Sequence, residues 1–239
     1  MRFSLRGASL YYKINIYNIM HITYHGLSCF KIVAKTAGRG SDDVTIITAP
    51  YDKKCGLRPP QGNADVVLVP HVDPMFNNPD VLRGEPLVIN RPGEFAVKGI
   101  NIIGRDVPAD MRGGKTRGNT VIFALDIEDM KIAYLAGIGQ DLAPDVLDAV
   151  IGADILFLPI GDTDGIDGKT AEILARKIEA KIIIPMQYKT KGLKIKSIKD
   201  ESDFCSEIGN CPKSKIDKIM IKPTDLENKV MEIVLLDVV

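Results

Sequence analysis

The residues best placed to do chemistry begin with His71 and Asp73, two apart and just beyond an uninterrupted apolar run, Val66-Val67-Leu68-Val69, that stops at Pro70. Both side chains are competent metal ligands, and a carboxylate in a cleft also serves as an acid or a base. A continuous apolar run of this kind reads as a strand buried on both faces. The loop past the end of such a strand is where a layered α/β protein keeps its active site. Histidine supply limits the chemistry. The chain has three histidines, His21, His25 and His71, and two lie near the N-terminus, too few for an imidazole-rich two-metal centre. His25 stands in a His-Gly turn and is expected to be solvated rather than a displaced ligand. Cys29, Cys55, Cys205 and Cys211 show no Cys-x-x-Cys spacing. They are expected to be reduced thiols of a cytoplasmic protein, not a disulfide framework or a zinc knuckle. The stretch Arg112-Gly113-Gly114-Lys115-Thr116-Arg117-Gly118 is basic and glycine-rich, and its amides could cradle a phosphate. It lacks Walker spacing and a strand immediately before it, so it is expected to be a mobile hairpin loop.

Composition bounds the molecule that positions these residues. At 239 residues and 45% apolar content, the chain can bury a full core as one large domain or two small ones. Thirty-one basic residues balance thirty-one acidic ones, so no global field favours nucleic acid or an anionic membrane, and neither is expected as a partner. The lysine-rich segment 189–199 is interleaved with Leu193, Ile195 and Ile198 and reads as a solvated strand or loop. Residues 1–19 carry Arg2, Arg6 and Lys13 and no acid. They lack a long apolar core and a small-residue cleavage site, and are expected to be a loosely ordered extension before a domain at 20–239. No stretch approaches the ~18 apolar residues that a membrane-spanning helix needs.

The first half of the domain reads as a meander. Alternation at 21–24 and 29–33 flanks the His25-Gly26 turn, a second turn falls at Gly38-Arg39-Gly40-Ser41, and 44–48 is a β-branched strand. Strands at 87–89 and 99–103 are predicted around a turn at Pro92-Gly93-Glu94, and 119–127 pairs with 131–135 around Glu128-Asp129. The pattern then becomes an alternation of helix and strand. A helix over 144–151 has Pro144 in its first turn. A buried strand covers 154–160, and Asp167 caps a helix over 168–180. A second buried strand over 181–188 is followed by a short helix near 201–208. Strands at 218–221 and 230–238 are expected to close the domain.

Several of these segments resemble, in order, the metallo-β-lactamase-fold metal-dependent hydrolases, and among them the branch that includes L-ascorbate-6-phosphate lactonase. Gly26-Leu27-Ser28-Cys29-Phe30 is similar to the family's Gly-His-Ser-x-Phe, Thr48-Ala49-Pro50-Tyr51 to its Thr-Asp-Pro-Tyr, and Pro92-Gly93-Glu94-Phe95 to its Pro-Gly-Glu-Tyr. The loop His71-Val72-Asp73-Pro74-Met75-Phe76-Asn77-Asn78 resembles the signature His-x-His-x-Asp-His followed by Asn-Asn. The resemblance implies an α/β fold, a four-layer αββα sandwich of two mixed sheets. It also implies which cleft positions once held metal. His71 keeps the first histidine, while Asp73, Met75 and Phe76 stand where the family has His, Asp and His. Asp110 and Met111 lie near the position of a further histidine. Gly137, in Ala136-Gly137-Ile138-Gly139-Gln140, replaces the aspartate that bridges two metals. Gln187, in Ile184-Pro185-Met186-Gln187-Tyr188, replaces the last histidine.

Three readings of function follow from this substitution pattern. In the first, the protein has a degenerate metal site, needs no cofactor, and acts as a non-hydrolytic binding or scaffold protein for a small-molecule or protein ligand. In the second, His71 and Asp73, with Asp110 and Asp162, form a rebuilt site. It would hold one divalent ion (Zn²⁺, Mn²⁺ or Mg²⁺) that activates water against a phosphoester, lactone or amide. In the third, the cleft carboxylates act as acid and base without metal. Self-association into a homo-oligomer is implied by the lactonase-like relatives.

Overall fold

Period-two burial builds the sheets, as in Met20, Ile22 and Tyr24, which point into the core while His21, Thr23 and His25 alternate on the other face. The protein is described here by a computed structural model covering residues 19–35, 43–73 and 77–239. The predicted extension up to residue 18, the turn at 38–41, and Met75 and Phe76 lie outside the described residues. In chain order the first strands are β1 (Met20–Gly26), β2 (Cys29–Lys35), β3 (Asp43–Thr48), β4 (Val66–Leu68) and β5 (Leu87–Ile89). Next come β6 (Gly93–Val97), β7 (Ile100–Pro108), β8 (Asn119–Ile127) and β9 (Met130–Tyr134). The rest are α1 (Pro144–Val150), β10 (Ile155–Pro159), α2 (Gly168–Ile178), β11 (Ile182–Met186), α3 (Ser202–Ile208), β12 (Lys218–Ile221) and β13 (Glu232–Ile233).

These strands form two mixed sheets, one in the order β12-β1-β2-β3-β4-β5 and the other in the order β13-β11-β10-β9-β8-β7-β6. Their facing surfaces share one continuous apolar core, which makes the fold an α/β sandwich. Tyr24 stacks on Phe30 with ring centroids 4.7 Å apart, and Phe30 meets Phe157 of the other sheet at 4.5 Å. Helix α2 lies beside β10 with Ala171, Leu174, Ala175 and Ile178 buried, and Asp167 caps it by accepting the Thr170 N–H at 2.9 Å. Among the described residues the outer face of the first sheet is covered by a 3₁₀ turn at Lys53–Cys55 and by loop residues Leu57, Leu193 and Ile198, not by an α-helix. No helix among the described residues is long and apolar enough to cross a membrane.

Three local expectations are corrected. The reversal between the strands around residues 93 and 100 falls at Lys98 and Gly99, with φ of 48° and 78°. Two consecutive positive φ values suit a tight hairpin, so Gly93 and Glu94 start β6 and Pro92 lies in the crossover between sheets. The closing segment is not one strand over 230–238. Only Glu232–Ile233 pairs with β11, after which Leu236 bridges to Ile216 and Val238 to Tyr24. The chain is passing from one sheet to the other and cannot stay in one ladder. Finally, Cys205 and Cys211 are joined as a disulfide, because Gly209 at φ 79° ends α3 in a left-handed cap and returns the chain toward the helix. Cys29 and Cys55 are free and buried.

The aromatic stack links both sheets, so Phe30→Ala should lower stability by about 3–5 kcal/mol. For a chain of this size that is a fall in melting temperature on the order of 10 °C. Ile173→Ala on the exposed face of α2 should change stability by less than about 0.5 kcal/mol. Equal effects of the two substitutions in urea titrations would show that the stack is not a central packing contact.

Candidate functional site

A cavity of about 240 Å³ opens where the loops after β3, β4, β9 and β11 meet. Its wall includes Ser28, Ala49, Pro70, His71, Asp73, Thr116, Arg117, Ala136, Gly137 and Gln187. Buried Thr120, at the start of β8, holds two of these loops together. Its hydroxyl lies 3.0 Å from the Pro70 carbonyl and 2.9 Å from the Ala136 carbonyl, and the Val121 N–H donates to Pro70 O at 2.7 Å.

His71 has both ring nitrogens engaged by backbone. Nδ1 lies 3.0 Å from the Asp73 N–H, and Nε2 lies 2.9 Å from the Arg117 carbonyl. A backbone N–H can only donate and a carbonyl can only accept, so Nδ1 is the acceptor and Nε2 carries the proton. The imidazole in this arrangement is neutral and has no lone pair left for an ion. Gly137 adopts φ 74°, and a Cβ there would sit 3.0 Å from Thr120 Oγ1. Its N–H donates to Gln187 Oε1 at 3.0 Å. Gln187 has a φ of 53° and is anchored by its own N–H to the Leu27 carbonyl at 2.7 Å. The amide oxygen thus fills space beside Gly137 and is already in use as an acceptor.

Asp110 does something other than line the cavity. Its Oδ1 accepts the N–H groups of Arg112 and Gly114 at 2.8 and 3.1 Å, and its Oδ2 accepts those of Thr116 and Arg117 at 2.9 and 2.7 Å. Those hydrogen bonds, the Arg117 amide first among them, hold its carboxyl down at about 2 despite the opposing effect of burial. The segment is a hairpin loop between β7 and β8, as expected, and it does cradle an anion, which is its own carboxylate. Gly139 allows the fit, since a Cβ there would lie 2.0 Å from the Asp110 backbone nitrogen.

The loop also delivers Arg117. Its Nη1 and Nη2 both donate to Asp162 Oδ2 at 2.8 Å, while Asp162 Oδ1 accepts the Asp164 N–H at 3.0 Å. Asp162 is not on the cavity wall and is paired with Arg117. Met111 is exposed and is not on the cavity wall. The structure thus brings His71, Asp73, Gly137 and Gln187 together and leaves Asp110, Met111 and Asp162 outside. His25 is not a solvated turn residue. It lies on β1 half-buried, and burial, with Lys31 nearby, lowers its pKa to about 4. Sequence reasoning missed Arg117 and Thr116 as wall residues. The signal available was the basic loop itself, whose direction depends on Asp110.

Set against a zinc shell, which takes three or four protein donors, these residues do not fit. Among the described residues no group of three or more His, Cys, Asp or Glu side chains could hold a metal ion. The imidazole, the Gln187 oxygen and both Asp110 oxygens are already paired, and a guanidinium stands beside Asp162.

The loop's dependence on an ionised carboxylate sets a pH signature. Asp110 is depressed from an ordinary value of about 3.9 to about 2, so its stabilisation is complete above roughly pH 5 and is lost as pH falls through 2. Asp110→Asn should be less stable than the parent at pH 7, and the gap should close between pH 4 and about 2. A gap of constant size across urea titrations at pH 7, 4 and 2.5 would show that ionised Asp110 does not hold the loop.

The Beta-lactamase superfamily domain profile matches residues 21–187, well over half of the chain. A UPF0173 metal-dependent hydrolase of Listeria monocytogenes is 24% identical over 203 residues, covering 72% of this chain and 86% of that protein. Among solved structures, a Thermotoga maritima protein assigned to the Zn-dependent hydrolases of the metallo-β-lactamase superfamily superposes with a TM-score of 0.68 at 28% identity. That match covers 91% of this chain and 99% of the other. Igni18, a metallo hydrolase from Ignicoccus hospitalis, matches at a TM-score of 0.59 and 14% identity over 92% of this chain and 96% of its own, a likeness of fold alone. By profile, sequence and sandwich architecture together, the chain belongs to the metallo-β-lactamase superfamily.

Proposed function

We propose that this protein is a metallo-β-lactamase-fold binding protein whose cleft takes a small-molecule or protein ligand without zinc hydrolysis. The observation that carries this reading is His71. The one histidine kept from the metal signature hydrogen-bonds backbone through both ring nitrogens, to Arg117 O and from Asp73 N. Gly137 and Gln187 support it, since one lacks a donor side chain and the other turns its amide oxygen to the Gly137 N–H. Fold does not carry chemistry; the site does. In this reading the protein needs no cofactor and takes no nucleic acid.

A second reading is favoured by the relatives, which are named metal-dependent hydrolases. Likeness of the motifs to the lactonase-like branch points it to a phosphoester, lactone or amide. It requires His71 to release a backbone partner and join Asp73 in holding an ion.

Melting curves separate the two. A ligand bound only to the native state adds about 2.7 kcal/mol at a hundredfold excess over Kd, a rise of roughly 5–10 °C for a chain of this size. Curves in EDTA, Zn²⁺ and Mn²⁺ should coincide, and phosphodiester, lactone and β-lactam substrates should not turn over above background. A chelator-sensitive shift that His71→Ala abolishes would establish a live metal site.

A further inference from the structure

The cleft lacks a fitting set of metal donors but carries a cation of its own. Arg117 lies on the cavity wall beside Thr116, His71 and Gly137, with about a third of its side chain exposed. A guanidinium has five N–H donors. Two of them reach Asp162 Oδ2, and the other three have no protein acceptor among the described residues. The head group is held by Asp162, and the backbone N–H of Arg117 is held by Asp110. Arg112 and Lys115 are exposed on the same loop and make no ion pair among the described residues.

The neighbouring acids do not make this corner a cation site. Asp110 has both oxygens on backbone N–H groups, and Asp162 is engaged by Arg117 and the Asp164 N–H. Asp73 is the one further acid on the wall. Ala49, Pro70 and Ala136 give the wall apolar surface, with Ser28 and Gln187 also on it. A planar fork of N–H donors matches the paired oxygens of a phosphate or a carboxylate, and Arg112 and Lys115, exposed on the same loop, add positive charge that favours an anion.

We propose that Arg117, not a metal ion, is the cationic centre of this cleft, and that its guanidinium receives the oxyanion of a small phosphate monoester or carboxylate whose apolar part lies against Ala49, Pro70 and Ala136. This proposal rests on the reading of the cleft as a zinc-free binding site and names its ligand class. The cavity volume of about 240 Å³ restricts that ligand to a small molecule.

The test is calorimetric titration of the full chain in EDTA with three probes: phenyl phosphate, benzoate and uncharged benzyl alcohol. At least one anion should bind and benzyl alcohol should not, and the tighter anion tells a phosphate ligand from a carboxylate. Arg117→Gln should weaken that anion about tenfold or more, and Arg117→Lys, which keeps the charge without the fork, by less. Because Arg117→Gln strands Asp162, the double variant Arg117→Gln/Asp162→Asn serves as the folded control and should bind as weakly. Asp162→Asn alone, which frees the guanidinium from its internal partner, should bind several-fold tighter. Absence of binding by both anions, or wild-type affinity in the double variant, would overturn the proposal. Zinc-dependent melting would instead remove the zinc-free reading beneath it, so the two failures are distinguishable.

Discussion

The carboxylate of Asp110, closed inside four backbone N–H groups of its own loop, is the interaction on which the cleft depends. A seven-residue basic, glycine-rich stretch has little reason to hold one shape, since its glycines lose much backbone freedom on ordering. An internal anion supplies the reason, much as a bound phosphate orders a nest of amides. Once the loop is set, the Arg117 carbonyl is in place for His71 and the Arg117 guanidinium for Asp162. One buried charge therefore positions a neutral imidazole and a cation on the same wall.

The polar groups of the wall are satisfied by the chain itself. Thr120 ties Pro70 to Ala136, Gln187 accepts from Gly137, and His71 spans Asp73 and Arg117. In a metal centre, such groups are held in register by a shared ion, and removing the ion leaves donors unpaired in a partly buried site, at a cost of about 1–3 kcal/mol each. Here hydrogen bonds between loops provide the register. The large apolar core between the sheets supplies the rigidity those loops lean on, through the stack of Tyr24, Phe30 and Phe157. Membership of the metallo-β-lactamase superfamily is thus a statement about this scaffold, and the cleft chemistry has to be argued from the side chains it presents.

Much of the scaffold was legible in the chain order. Short, β-branched apolar runs such as Val66-Val67-Leu68 and Ile182-Ile183-Ile184 read as strands buried on both faces, and the alternation at 21–24 reads as a half-buried one. The residue types on the cleft wall were equally plain, because glycine at 137 and glutamine at 187 can be read at those places. What local pattern could not supply was partnership. Asp110 reads as a loop carboxylate until the turn brings residues 112–117 around it, and Cys205 reads as a thiol until Gly209 returns Cys211 to it. The closing segment splits between two sheets because its neighbours, Ile183, Ile216 and Tyr24, are chosen by topology. The sequence by itself thus determined which residues are apolar, which can ligate and which cannot. Only the tertiary structure decided which groups neutralise one another, because the bonds of Asp110 depend on how its turn closes, and those joining Arg117 to His71 and Asp162 depend on where distant loops meet.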